Sequence, residues 1–159
     1  MLWHTYSNSL NNDFAQNLFN NCPVLEELFI QGNVESDEEL VFDVSVPVLK
    51  SFKFLLAGEE YKVLVDAPIL VYLCVQNVWM PSYVLKNVTS LIKADVHLGG
   101  YCVPLMDAER HADRVVALFR GICSVKYLSL GHSYHGVYAA LSFDYYVNML
   151  PRLSTMLMI

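Results

Sequence analysis

The sequence predicts an α/β fold. It is a curved solenoid in which short parallel strands form a concave sheet, with short strands or helices on the convex side. Three observations predict it. A pattern, P-x-L-x-x-L-x-I, returns six times. Its clearest copies are Pro23, Leu25, Leu28 and Ile30; Pro47, Leu49, Phe52 and Phe54; and Pro68, Leu70, Leu73 and Val75. Looser copies are Leu91, Ala94 and Val96; Val125, Leu128 and Leu130; and Pro151, Leu153, Met156 and Met158. The second observation is the spacing: successive anchors lie 24, 21, 21, 34 and 28 residues apart, the period of leucine-rich repeats. The third is a second set of apolar segments, one in each of several intervals. A unit of this size cannot close a core alone and must bury its apolar face against its neighbours.

The elements follow in chain order. Residues 1–11 read as an irregular N-terminal segment, and residues 12–159 as an array of about six irregular repeats. Asn12 to Asn21 reads as a helix, with Phe14, Leu18 and Phe19 on one face, Asn12 as its cap and Pro23 as its stop. Each copy of the pattern reads as a strand, because Leu28-x-Ile30 and its equivalents alternate. Proline precedes the anchor by two residues in four copies; lacking an N–H, it suits the start of a strand. Leu40 to Val46, Tyr61 to Val65 and Tyr83 to Val88 are too short for helices and rich in Val, Tyr and Leu. They read as convex-side strands or extended segments. Asp107 to Arg120 reads as a helix that accounts for the longest interval. Ala108, His111, Ala112, Val115, Leu118 and Phe119 make its apolar stripe, and Gly121 its C-terminal stop. Gly99-Gly100, Gly131 to Gly136 and the acidic stretches at 35–39 and 59–60 read as solvated turns on the rim.

Composition narrows the function. The 159 residues are 55% hydrophobic and 16% charged, against a usual charged share of about 25%. With no polar cap apparent at either end, the chain is expected to be a slice of a longer array that is marginally stable and self-associates in isolation. A net charge of −6 and the lack of any Lys/Arg run argue against a nucleic-acid partner. No apolar stretch approaches the ~18 residues of a membrane span, and no secretory leader is evident. Cys22, Cys74, Cys102 and Cys123 include no C-x-x-C pair, which suits reduced thiols in the cytoplasm or nucleus.

No arrangement marks an enzyme, a metal site or a cofactor site. His132-Ser133-Tyr134-His135 lies in a glycine-flanked stretch and reads as loop histidines. Asp95, His97 and Ser129 fall on adjacent strands, but nothing marks a nucleophile or an oxyanion hole. His111 and Trp79 read as packed side chains. The concave face follows from the period. Counting each anchor as position one, positions three, five and seven point away from the core. They give Glu27, Phe29 and Gln31; Ser51, Lys53 and Leu55; Tyr72, Cys74 and Gln76; Lys93, Asp95 and His97; and Tyr127, Ser129 and Gly131. Phe29, Gln31, Lys53, Tyr72, Gln76, Lys93, Asp95, His97 and Tyr127 are the candidate partner-binding residues, since aromatic side chains are enriched in interface hot spots.

The segments Cys22 to Leu28, Val46 to Phe52, Val65 to Leu73 and Leu91 to Val96 carry phrases of the type C-P-x-L-E-x-L, D-A-P-x-L-x-Y-L and L-x-K-A-D in that order. With them the chain resembles the repeat region of the plant F-box leucine-rich-repeat proteins, including those with an FBD domain. The resemblance implies the substrate-recognition repeats of an SCF-type ubiquitin-ligase adaptor, whose partner is a protein target. The stretch before Asn12 is too short for an F-box, so direct binding to the cullin-linker protein is not expected. Nor is an FBD segment expected after Leu153. The alternative expectation is a truncated, non-functional or purely structural repeat fragment.

Overall fold

A computed structural model describes residues 2–7, 22, 24–34, 40–58, 61–77, 81–99 and 108–133. The chain alternates between two parallel sheets. The larger is built from β1 (Leu2–Ser7), β2 (Glu27–Asn33), β4 (Ser51–Ala57), β6 (Tyr72–Asn77), β8 (Lys93–Gly99) and β9 (Tyr127–Ser133), side by side in that order. The smaller is built from β3 (Leu40–Ser45), β5 (Tyr61–Asp66) and β7 (Ser82–Lys86). The helix α1 (Ala108–Gly121) follows β8 in the chain and packs against β7. Register is uniform. Leu28, Phe52, Leu73, Ala94 and Leu128 are successive partners across five strands, as equal patterns stacked on one core require. The strand expected around Met156 lies outside the described residues, as do the helix expected at 12–21, the side chain of His111, and Trp79, Cys102 and His135.

The three segments expected as convex-side strands are β3, β5 and β7, and the helix expected over 107–120 is α1. Two expectations need correction. Residues 1–11 are not irregular throughout, because β1 pairs with β2 from Leu2 opposite Glu27 to Ser7 opposite Gly32. Nor are the expected rim turns found where these residues are described: Gly99 is the end of β8, and Gly131, His132 and Ser133 are the end of β9, paired with His97, Leu98 and Gly99.

Each unit enters its strand through the same backbone device. The anchor N–H donates to the carbonyl three residues earlier: Leu25 to Cys22, Leu49 to Val46, Leu70 to Ala67, Leu91 to Val88 and Val125 to Ile122, at 3.1–3.2 Å. These are β-turns. Their third residues, such as Val48 and Ile69, have negative φ, which fits type I rather than type II. Pro47 and Pro68 therefore occupy the second turn position, where a fixed φ is favourable. The proline shapes the turn before the strand, and Thr89 and Cys123 fill its place in the copies without it. One carbonyl of each unit then accepts two N–H groups of the next. Glu26 takes Lys50 and Ser51, Lys50 takes Val71 and Tyr72, Val71 takes Ile92 and Lys93, and Ile92 takes Lys126 and Tyr127.

The core lies between the sheets. Strand alternation sends Leu28, Ile30, Phe52, Phe54, Leu73, Val75, Ala94 and Val96 inward from the larger sheet, and Phe42, Val44, Val63 and Val65 inward from the smaller. Phe42 meets Phe54 and Tyr61 edge-on at 5.2 and 6.0 Å, so aromatic rings from both sheets interlock. The Tyr61 hydroxyl keeps a partner in the Leu56 carbonyl, 3.3 Å away, as a buried polar group must. From α1 come Val115, Leu118 and Phe119, with Ile122 just beyond. Gly121 is the last helical residue and is not left-handed. Its role is close approach: a Cβ there would lie 3.0 Å from the Leu85 Cβ and 2.8 Å from Cδ1. The alternation stops short at β9. Leu128 and Leu130 occupy inner positions yet are 46% and 53% exposed, because α1 packs against β7 and no described element covers β9 from that side.

Candidate protein-binding face

The outer face of the larger sheet is a lattice fixed by strand register. One row runs Glu27, Ser51, Tyr72, Lys93, Tyr127. The next runs Phe29, Lys53, Cys74, Asp95, Ser129, and the third Gln31, Leu55, Gln76, His97, Gly131. All nine candidate binding residues stand on this face, and each is exposed or half-buried. What the period did not reveal is which of them touch.

Four of them form one cluster. Tyr72 donates its hydroxyl proton to Asp95 Oδ2 at 2.6 Å, and Lys93 Nζ lies 3.0 Å from the same oxygen. Lys93 Nζ also stands 5.1 Å from the Tyr72 ring centroid, and Lys53 Nζ 5.7 Å from it. One ring on β6 is thus flanked by ammonium groups from β4 and β8, both within cation–π range. Burial, and then donation to Asp95, pushes the Tyr72 phenol well above its ordinary range. Burial acts against ionised Asp95, but the hydrogen bonds from Tyr72 and Lys93 and the Lys93 charge outweigh it, so its carboxyl is held below the usual range. Asp95 Oδ1 is buried and has no hydrogen-bond partner among the described residues. Among the described residues no carboxylate pairs with Lys53.

The neighbours complete the picture. Burial pushes the Cys74 thiol up, which keeps it protonated and a poor nucleophile. His97 lies across Gly131: a Cβ at that glycine would come within 2.0 Å of Nδ1. Asp95 is engaged by Tyr72 and Lys93, so it is not set up as the orienting partner a triad with His97 and Ser129 would need. Among the described residues no group of three or more His, Cys, Asp or Glu side chains could hold a metal ion, and no helix is long and apolar enough to cross a membrane. Cys22, Cys74 and Cys123 are free thiols. On the rim, Lys50 and Glu26 pair at 2.6 Å in the open, and Val24, Ile69, Val71 and Ile92 expose apolar surface that the pattern did not single out.

No protein-family model matches the chain, and no solved structure does. Curated proteins do. The chain is 29% identical over 126 residues to an F-box/FBD/LRR-repeat protein of Arabidopsis thaliana, covering 72% of this chain and 28% of that protein. It is 29% identical over 126 residues to another of that description, covering 72% and 29%. It is 37% identical over 86 residues to an FBD-associated F-box protein of the same plant, covering 53% and 19%. The chain therefore spans under a third of the length of these relatives. Its parallel repeating strands and these likenesses together make the chain a relative of the plant F-box/FBD/LRR-repeat proteins.

Proposed function

We propose that this chain is a protein-interaction module, the target-recognition run of repeats in an SCF-type ubiquitin-ligase adaptor, working inside the cell. The observation that carries the reading is the outer face of the larger sheet. It presents Lys53, Tyr72, Lys93 and Asp95 as one preorganised cluster, on strands whose opposite side is fully committed to the core. Rigid elements that display mixed aromatic and charged groups suit recognition. The ubiquitin-ligase context is what the likeness to proteins named for an F-box implies. We further read the stack as a curved solenoid with this face concave. Strands on both sides keep neighbouring units ~4.8 Å apart and so bend the stack little, whereas a helix, about 10 Å wide, opens the convex side where α1 replaces a strand.

The test is affinity capture with the chain and with a variant carrying Tyr72→Ala and Lys53→Glu, both verified as folded by circular dichroism. Proteins retained by the first and lost with the second, and whose abundance rises when the ligase is inhibited, are the expected result. Identical captured sets would overturn the reading and favour a purely structural run of repeats.

A further inference from the structure

We propose that the Lys53–Tyr72–Lys93 cluster seats an extended acidic segment of a partner protein, with carboxylates at alternating positions. The proposal rests on the interaction reading above and names the chemistry of the partner. Charge is its first support. The chain carries a net −6, yet the middle of this face sets two ammonium groups around one ring with a single carboxylate between them. Lys53 is exposed and among the described residues has the Tyr72 face and no carboxylate. Lys93 is half exposed and held by Asp95. An anionic partner side chain would neutralise Lys53 and compete with Asp95 for Lys93.

Spacing is the second support. The two lysines stand on β4 and β8, with β6 between them, and both Nζ atoms lie within 6 Å of the same ring centroid. In an extended peptide, side chains two residues apart point the same way and are separated by about 6.8 Å. A segment laid across the strands therefore offers one carboxylate to each lysine while its backbone passes over the exposed edge of Tyr72. Asp95 then has a defined part. It positions Lys93 and Tyr72, and it also weakens the site for an acid by occupying Lys93.

The experiment uses fluorescein-labelled peptides of about eight residues with aspartate, asparagine or lysine at alternate positions in an otherwise common sequence, followed by anisotropy at two salt concentrations. The aspartate peptide is expected to bind about tenfold more tightly than the asparagine peptide, as one good charge pair allows, and to weaken as salt rises. Lys53→Glu and Lys93→Glu should each abolish that advantage, with Lys53→Met as the neutral control. Asp95→Asn frees Lys93 and should strengthen binding several-fold, which a merely structural role for Asp95 does not produce. Equal binding of the aspartate and asparagine peptides, or preference for the lysine peptide, would overturn the proposal. So would tighter binding of a single-stranded oligonucleotide of equal charge. Should affinity capture find face-dependent partners while the aspartate peptide fails, the acidic-segment proposal falls and the interaction reading stands.

Discussion

Tyr72 and Asp95 show how much one contact decides. Their side chains meet across neighbouring strands but on a diagonal, since Tyr72 is in register with Lys93 and Asp95 with Cys74. The alternation of the sequence placed all four on the same face. It could not place the hydroxyl on the carboxylate, because that depends on the reach and rotamer of a long side chain. The same limit applies to Gly131, which reads as a turn residue and instead lets the His97 ring cross the backbone. Tyr72→Phe should lower stability by about 1 kcal/mol at neutral pH, the usual scale for one hydrogen bond. The linkage has a sign. The Asp95 carboxyl is held low in the fold, so near pH 3–4 the unfolded chain binds more protons there, and stability rises with pH through that window. The Tyr72 phenol is held high, so its contribution is full below about pH 10 and is lost as alkali rises towards the folded value. Denaturant unfolding at several pH values should show both flanks in the parent and a flatter profile in Tyr72→Phe. A profile unchanged by the substitution would mean that the bond does not form.

Among elements, the strands and α1 were legible because their apolar periods differ, two for the first and about 3.6 for the second. The reasons behind the punctuation were not. Pro47 and Pro68 were expected to open strands, yet they shape the turn that precedes them. Gly121 was expected to be the C-terminal stop of α1, yet it is itself helical and serves a close approach to Leu85. Sequence spacing does not carry the distance between two elements, so neither role could be read from it. Two measurements follow. Gly121→Ala should lower the melting temperature through collision with Leu85. In a Leu85→Ala background, which removes Cδ1 and Cγ but keeps the Cβ at 3.0 Å, the same change should lower it less, helped by alanine favouring a helix over glycine by about 1 kcal/mol. Equal effects in both backgrounds would remove the contact from the account. Phe54→Ala should cost about 3–5 kcal/mol, as for other buried aromatic truncations, because Phe54 touches Phe42, Phe52 and Tyr61. Leu130→Ala, at the equivalent pattern position, should cost well under 1 kcal/mol given its exposure. Similar costs at the two positions would show that β9 is covered as the other strands are.

Across the whole molecule each unit touches the units beside it, so stability should be graded along the stack rather than uniform. β4 and β6 have neighbours on both sides and a filled core beneath. Their amides should exchange most slowly with solvent. Those of β9, whose inner leucines are exposed, should exchange faster by orders of magnitude. Hydrogen exchange followed by mass spectrometry reads this directly, and equal protection of β4 and β9 would mean that the stack unfolds as one unit.

The joint that recurs between units is made by the backbone. A single carbonyl holds two N–H groups of the following unit, and the residues at that step are Glu26, Lys50, Val71, Ile92 and Lys126, which range from acidic through apolar to basic. The alignment of one unit on the next is therefore indifferent to what these residues are, and to whether 21 or 34 residues separate the anchors. Such a rim can be rewritten position by position, by mutation or by design, while the spacing of the strands and the lattice of the outer face stay in place.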